Sequence, residues 1–195
     1  MHGMDLEPHT QPDPMSAPAT TAWSVDASHS LLEFSVKHMM VATVKGRFAA
    51  VTGTVHYDGH DLAGASIDVE IPVDSLDTRV TDRDNHLKSP DFFDAANHPT
   101  IRFRSTRITP GAGNAFTITG DLTIRGTTRE VTLAAESGGT IRDPWGMERA
   151  GFSATGAVDR FDYGLHWNAA IEAGGFVVGA AVKIALEVEI VRPAA

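Results

Sequence analysis

Near the C-terminus, apolar residues occupy every second position over a run of thirteen residues. Successive side chains of an extended strand point to opposite faces, so this run predicts one long strand with a single buried face. The apolar face comprises Val178, Ala180, Val182, Ile184, Leu186, Val188 and Ile190. A strand of this length needs neighbours that bury the same face, which restricts the chain to a sheet-based fold.

Shorter alternations of the same kind predict about seven further strands. The clearest covers 116–124, where Phe116, Ile118, Leu122 and Ile124 share one side. Turn-forming pairs such as Asp58-Gly59 and Gly138-Gly139 separate the alternating segments, which favours antiparallel neighbours. A single domain of about eight antiparallel strands is either a sandwich or a closed barrel, so the fold class is mainly β.

The segment from 77 to 94 does not alternate and predicts one short helix, at about 78–88, covering one end of the sheet. Ser75 or Asp77 is the expected cap, and Pro90 the expected stop. The residues expected to face the sheet from this segment are Val80, Asp84 and Leu87, followed by Phe92 and Phe93.

Residues 1–21 contain four prolines and three acidic residues but no basic segment leading into an apolar run. We therefore expect a disordered tail at 1–21 without a secretory signal, a single domain at 22–193, and a cytoplasmic protein. No stretch of eighteen apolar residues is present, so no transmembrane segment is predicted.

Composition excludes several classes of function. The chain has 195 residues, 16 basic and 25 acidic, and this net charge of -9 disfavours nucleic acid as a partner. The absence of cysteine excludes thiol nucleophiles and thiolate metal sites. Nucleophile-elbow, phosphate-loop and dinucleotide motifs are missing. His56, Asp58 and His60 flank a turn and form only a weak metal signal, so we predict no metal site and no catalytic residues.

An ordered series of motifs resembles the YceI-like family over about residues 22–191. The series includes Trp23-Ser-Val-Asp26, Phe34-Ser-Val-Lys-His38, Val44-Lys-Gly-Arg-Phe48, Arg83-Asp-Asn-His-Leu-Lys-Ser89, Phe161-Asp-Tyr-Gly-Leu-His-Trp167 and Gly174-Gly-Phe-Val-Val-Gly179. The resemblance implies an eight-stranded lipocalin-like antiparallel barrel whose apolar cavity holds a polyisoprenoid or similar amphiphile. It also implies binding rather than catalysis, a homodimer, and a role in isoprenoid quinone metabolism, transport or stress response.

An isoprenoid chain requires a dry wall, because burying apolar surface contributes roughly 25 cal/mol per Å². Residues on the apolar face of their strands are the candidates for this wall, and ordinary core packing is the alternative for each. They are Phe34, Val36, Phe48, Phe103, Phe116, Ile118, Phe152, Trp167, Val182 and Ile184.

A polar head group would lie at the mouth of the cavity, where donors meet it without burial of an unpaired charge. Arg79, Arg83 and His86 are spaced to share one face of the predicted helix, and His38 continues the inward phase of its strand. The alternative for the helix residues is a solvated face paired with nearby acids, and for His38 a bond to a backbone carbonyl.

Three functions are compatible with these features. The first is a carrier or sequestering protein for one isoprenoid quinone, polyprenyl phosphate or fatty amide, with this lipid as ligand and no cofactor required. The second is an enzyme that processes such a lipid through His38, His86 or a nearby acid. The third is an interaction module whose barrel is filled.

Overall fold

In the computed structural model, residues 21–170 and 174–193 are described. The predicted tail lies outside the described residues except for Thr21, which is already the first residue of a strand. Among the described helices, none has the length and apolarity needed to cross a bilayer.

Eleven strands and one α-helix follow one another along the described chain. The strands are β1 Thr21–Val25, β2 Leu31–His38, β3 Ala42–Phe48, β4 Thr52–Tyr57, β5 Ser66–Pro72, β6 Leu76–Asp77, β7 Thr100–Pro110, β8 Ala115–Ile124, β9 Thr127–Arg142, β10 Met147–Asp159 and β11 Val178–Pro193. The helix α1 is Thr81–Lys88, and short 3₁₀ turns occupy Ala27–His29, Val73–Ser75 and Arg160–Tyr163.

The strands form one closed antiparallel barrel, as predicted, rather than a sandwich. Pairing runs from β1 through β4, β5, β7, β8, β9, β10 and β11 and returns to β1, where Ser24 lies opposite Val191. Strand β2 pairs with the other half of β11 and with β3, which in turn pairs with β6. The successive pairs β1/β2, β3/β4 and β5/β6 therefore act as three bent strands. Together with β7, β8, β9, β10 and β11 they make eight strands around the barrel.

The helix covers one barrel end, as predicted, but begins three residues later, at Thr81. The Asp84 carboxylate accepts a hydrogen bond from the backbone N–H of Thr78 at 2.9 Å and another from the Thr78 hydroxyl, which fixes Thr78 outside the helix. The expected side-chain cap is wrong, because Val80 occupies the N-cap position and makes no such bond. Val80 is also exposed rather than inward, whereas Leu87 packs against the core.

The opposite end, where β10 begins and β11 ends, is closed by a packed indole; we call it the closed end, and the α1 end the lid end. Trp23 is 1% exposed, and its Nε1–H donates to the Tyr57 carbonyl at 2.9 Å. Ala150 and Ile190 pack beneath it, and the Arg192 guanidinium lies 4.3 Å from its ring. This cluster prevents the barrel interior from opening at the closed end.

Beside this cluster, an ion-pair network links β10 and β11 to the residues that follow β1 and β9. The Arg149 Nε donates to Asp143 at 2.7 Å, and its Nη1 donates to Asp26 at 2.9 Å and to Glu189. The pKa of the Asp26 carboxyl lies well below its usual value, because it accepts hydrogen bonds from the Ser28 hydroxyl, the His29 ring and Arg149. The network ties the bend after β1 to β10 and β11, where the barrel closes.

Replacing Trp23 tests the cluster at the closed end. Trp23→Ala should lower the free energy of unfolding by about 4 kcal/mol, because it leaves a large cavity. Trp23→Phe should lower it by about 2 kcal/mol, because part of the volume remains but the Tyr57 carbonyl loses its donor. The matched control is Trp145→Ala, since Trp145 is 82% exposed. Urea unfolding monitored by circular dichroism measures all three, and equal losses for Trp23 and Trp145 would contradict the packing described.

Acid unfolding tests the network. A carboxyl whose pKa is lowered in the folded state stabilises the fold above its unfolded pKa, about 3.9. That contribution disappears as pH falls through the folded-state value. Asp26→Asn should therefore lower the urea midpoint at pH 7 and flatten its fall with pH below about 4. Asp121→Asn, an exposed change on β8, is the control; an unchanged acid profile for Asp26→Asn would be the contrary result.

Candidate ligand-binding cavity

A cavity of about 280 Å³ runs inside the barrel from Val55 and Tyr57 at the closed end to Leu87 and Phe93 under the lid. Its wall is almost wholly apolar. Small-ligand sites commonly measure about 300–1,000 Å³, so the space suits one slender molecule rather than several. The interior of this eight-stranded barrel is therefore not filled by its own side chains.

Glycines opposite aromatic rings shape this wall. A Cβ on Gly120 would lie 2.5 Å from the ring of Phe103, and one on Gly46 would lie 2.4 Å from the ring of Phe34. Each ring therefore occupies the space into which the side chain of any residue other than glycine would project at that position of the neighbouring strand. The sequence predicts a bend or bulge at Gly120, and the β-bulge lies opposite it on β7, between Ser105 and Arg107.

Nine of the ten predicted wall residues line the cavity. They are Phe34, Val36, Phe48, Phe103, Phe116, Ile118, Phe152, Val182 and Ile184. Trp167 is the exception: it packs on the lid, with its ring 5.4 Å from Phe92 and 4.7 Å from His86. That these residues contact a ligand stays a prediction.

The lid is a packed aromatic layer rather than an open mouth. Phe93 meets Phe48 edge to face at 6.0 Å, which joins the segment after α1 to β3 across the top of the cavity. The Arg125 guanidinium donates to the carbonyls of Phe92 and Gly164 at 3.0 and 3.1 Å, and Lys88 donates to the Asp74 carbonyl at 2.8 Å. These bonds hold the lid against the barrel.

None of the four predicted head-group residues is among the side chains that line the cavity in the described part of the chain. Arg79 precedes α1, so the shared helix face expected for Arg79, Arg83 and His86 is wrong. Arg83 donates from Nε to the Thr78 hydroxyl at 2.8 Å and so holds the segment before α1 against the helix. His86 lies 3.0 Å from an Asp91 carboxylate oxygen, and His38 ends β2 opposite Val178.

The cavity wall also contains a buried cation, Arg160, that was not predicted from the sequence. Arg160 is 4% exposed and follows β10 at the lid end. Its Nε donates to Gly179 at 2.9 Å, its Nη1 to Trp167 at 2.9 Å and to Leu165, and its Nη2 to Val178 at 3.2 Å, in each case to a backbone carbonyl. The alternation of β10, with Phe152, Ala154 and Val158 inward, places Arg160 on the inward phase and could have identified it.

The charge of Arg160 lacks a paired carboxylate in the described structure. Burial lowers the pKa of its guanidinium, and Asp159 opposes that effect. A guanidinium has five N–H groups, and four donate within the described residues, which leaves one Nη2 hydrogen without a partner among them. Carbonyl, carboxylate and phosphate oxygens are its natural partners.

Within the described residues, the one group with metal-like spacing is Asp26, His29 and Glu189. Arg149 donates to both carboxylates and already places a positive charge between them. The weak signal at His56 and His60 is accounted for by a turn, since the Asp58 carboxylate accepts the backbone N–H groups of His60 and Asp61 at 2.7 Å each.

Comparison with known proteins agrees with this architecture. The family model described as YceI-like domain matches residues 23–190. A UPF0312 protein of Staphylococcus epidermidis is 36% identical over 170 residues, which is 87% of this chain and 96% of that protein. The crystal structure of Burkholderia cenocepacia BcnA has a TM-score of 0.70 and 24% identity, covering 85% of this chain and 98% of its own.

A second solved structure is similar in fold. It is a polyisoprenoid binding domain from Saccharophagus degradans implicated in plant cell wall breakdown, with a TM-score of 0.64 and 15% identity. The match covers 88% of this chain and 98% of that domain.

Substitution of Arg160 tests its place in the fold. Arg160→Met should lower the free energy of unfolding by about 3 kcal/mol, because four buried or part-buried carbonyls lose a charged donor. Arg160→Lys should cost less, since its ammonium still carries three donors. Arg107→Met, at an exposed position on β7, should change stability by less than about 0.5 kcal/mol. Urea unfolding measures the series, and equal stability of Arg160→Met and Arg107→Met would refute the assignment.

Proposed function

Because the chain belongs to the YceI-like domain family, we propose that it encloses one long-chain amphiphile and carries or sequesters it. The ligand class is a polyisoprenoid, an isoprenoid quinone or a fatty amide. The lipid is the ligand itself, and the proposal requires no cofactor and no catalytic group.

The observation that carries this proposal is the continuous apolar cavity inside the barrel, which we call the channel. Each buried methylene contributes about 0.8 kcal/mol, so a chain of ten carbons gains enough to offset the cost of immobilisation. A wall that is apolar except at Glu33, Ser153 and Arg160 favours a hydrocarbon tail over a sugar or nucleotide, most of whose hydroxyls would be left without hydrogen bonds.

The two ends of the channel favour one orientation of the ligand. The closed end is packed by Trp23 and Tyr57, which suits the terminus of an apolar tail. The lid end carries Arg160, which has one Nη2 hydrogen without a partner among the described residues, and this suits a carbonyl or phosphate head. We therefore place the head group near Arg160 rather than against the four residues predicted from the sequence, which lie outside the cavity wall.

Fold similarity to a polyisoprenoid binding domain supports the choice of ligand class. A role in quinone metabolism, transport or stress response, homodimerisation, and cytoplasmic residence remain predictions from the sequence. The rival function, an enzyme acting on the enclosed lipid, is distinguished by incubating the protein with a quinone or prenyl phosphate and analysing the recovered lipid. Unaltered lipid is expected from a carrier.

The first experiment is native mass spectrometry of gently purified protein, followed by solvent extraction and lipid analysis. One bound isoprenoid or other long-chain molecule per chain is expected. Titration with quinones of increasing tail length should then show affinity that rises steeply with each isoprene unit and levels off once the channel is full. A bare mass together with no saturable binding in this series would overturn the proposal.

A variant that fills the channel provides the sharper test. Ala154 lines the channel, and the next residue on β10, Thr155, is exposed. Ala154→Phe should reduce affinity for a long-tailed quinone by at least about tenfold, because its ring takes the volume of several methylenes. Thr155→Phe adds the same ring outside the barrel and should leave affinity unchanged. Equal affinities for the two variants, both folded by circular dichroism, would show that the ligand binds elsewhere.

A further inference from the structure

The lid end carries an exposed apolar projection that the channel does not use. The turn between β2 and β3 consists of Met39, Met40 and Val41, and Met40 and Val41 are 69% and 85% exposed. Phe176, which is 61% exposed, lies on the neighbouring segment. We call Met39, Met40, Val41 and Phe176 the apolar tip.

The tip is held in place by backbone geometry. Met39 and Met40 have φ values of 47° and 61°, a left-handed conformation that non-glycine residues adopt only where a tight turn requires it. The Met39 N–H donates to the Val177 carbonyl at 2.9 Å, which fixes the turn beside Phe176. Four large apolar side chains are thus presented to solvent from two connected segments.

Basic residues lie behind the tip on the outer face of the barrel. Lys37 and Lys45 flank the turn on β2 and β3, and Lys183 on β11 lies opposite Ser35, which in turn lies opposite Lys45. All three lysines are exposed. From 34 to 48 the sequence contains no acidic residue, although the whole chain has a net charge of -9. Arg47 in this segment is paired with Asp77 at 3.0 Å, so Lys37, Lys45 and Lys183 make up the basic patch.

The tip is also near the end of the channel where the proposed head group lies. Val178 pairs with His38 at the base of the turn, and its carbonyl accepts from Arg160. A surface that contacts the tip would therefore lie at the Arg160 end of the barrel and away from the packed Trp23 end.

We propose that the apolar tip docks the lid end of the barrel on an anionic lipid bilayer, from which the amphiphile enters or to which it returns. The proposal rests on the carrier function proposed above. Exposed methionine, valine and phenylalanine side chains insert into the boundary between head groups and acyl chains, while lysines set back from them meet lipid phosphates. A basic patch on an otherwise acidic chain directs the protein to a negatively charged surface in this one orientation.

Vesicle binding by the full chain tests the proposal. We expect the protein to sediment with vesicles of phosphatidylcholine and phosphatidylglycerol, more weakly with phosphatidylcholine alone, and less as salt increases. Met40→Asp with Val41→Asp should weaken binding by about tenfold or more, and aspartate tolerates the positive φ at position 40. Lys37→Glu with Lys45→Glu should weaken binding to the anionic vesicles alone.

The matched control is Trp145→Asp, because Trp145 is the most exposed tryptophan and lies in the β9–β10 turn at the closed end. It should leave vesicle binding unchanged. Equal loss for Trp145→Asp and the tip variant would overturn the proposal, as would the absence of binding to anionic vesicles. Concentration-dependent dimerisation that the tip variant abolishes, without vesicle binding by the native chain, would instead assign the tip to a second copy.

Quinone binding in detergent-free buffer separates this proposal from the carrier function. The tip variant should retain the affinity of the native chain for a quinone but transfer it to acceptor vesicles about tenfold more slowly. Native protein that binds quinone but not vesicles overturns docking alone. Native protein that binds vesicles but no quinone overturns the carrier function.

Discussion

Closure of the sheet is the constraint on which the rest of the structure depends. Strand β11 is long enough to pair with β2 between Val178 and Glu187 and with β1 at Ile190 and Val191, and the chain bends between β1 and β2 at Asp26. Because of the bend, both β1 and β2 form backbone hydrogen bonds with the same edge of β11, and the sheet closes between β1 and β11. Closure turns every inward side chain toward a common axis, so a row of alternating residues becomes the wall of a channel.

The two ends of the channel hold their buried charges in different ways. At the closed end, Arg149 donates to three carboxylates beside the Trp23 cluster, so its guanidinium is satisfied by partners within the protein. At the lid end, Arg160 is held by backbone carbonyls and keeps its positive charge without an ion pair in the described chain. A buried guanidinium fixed in this way is stable in the fold and can still donate a hydrogen bond to an anionic or carbonyl oxygen.

Alternation predicted the wall because its cause is local. Phe34, Phe116 and Ile184 lie where the phase of their strands places them. Trp167 departs from the prediction because it follows a 3₁₀ turn, where the two-residue period no longer applies. Arg79 departs because the contact between Asp84 and Thr78 delays the helix. Arg160 was on the inward phase, but a charged residue there is expected to be exposed unless the fold provides partners distant in sequence.

The sequence by itself determined the strand pattern, the family and the apolar phase that faces inward, because side-chain direction in a strand depends on neighbouring residues alone. Only the tertiary structure decided which end of the barrel is sealed, where the buried charge lies, and that Met40 and Phe176 share one exposed tip. These features arise from contacts between segments far apart in the chain. The two-residue alternation within a strand does not predict such contacts, since they depend on how the bent strands meet when the barrel closes.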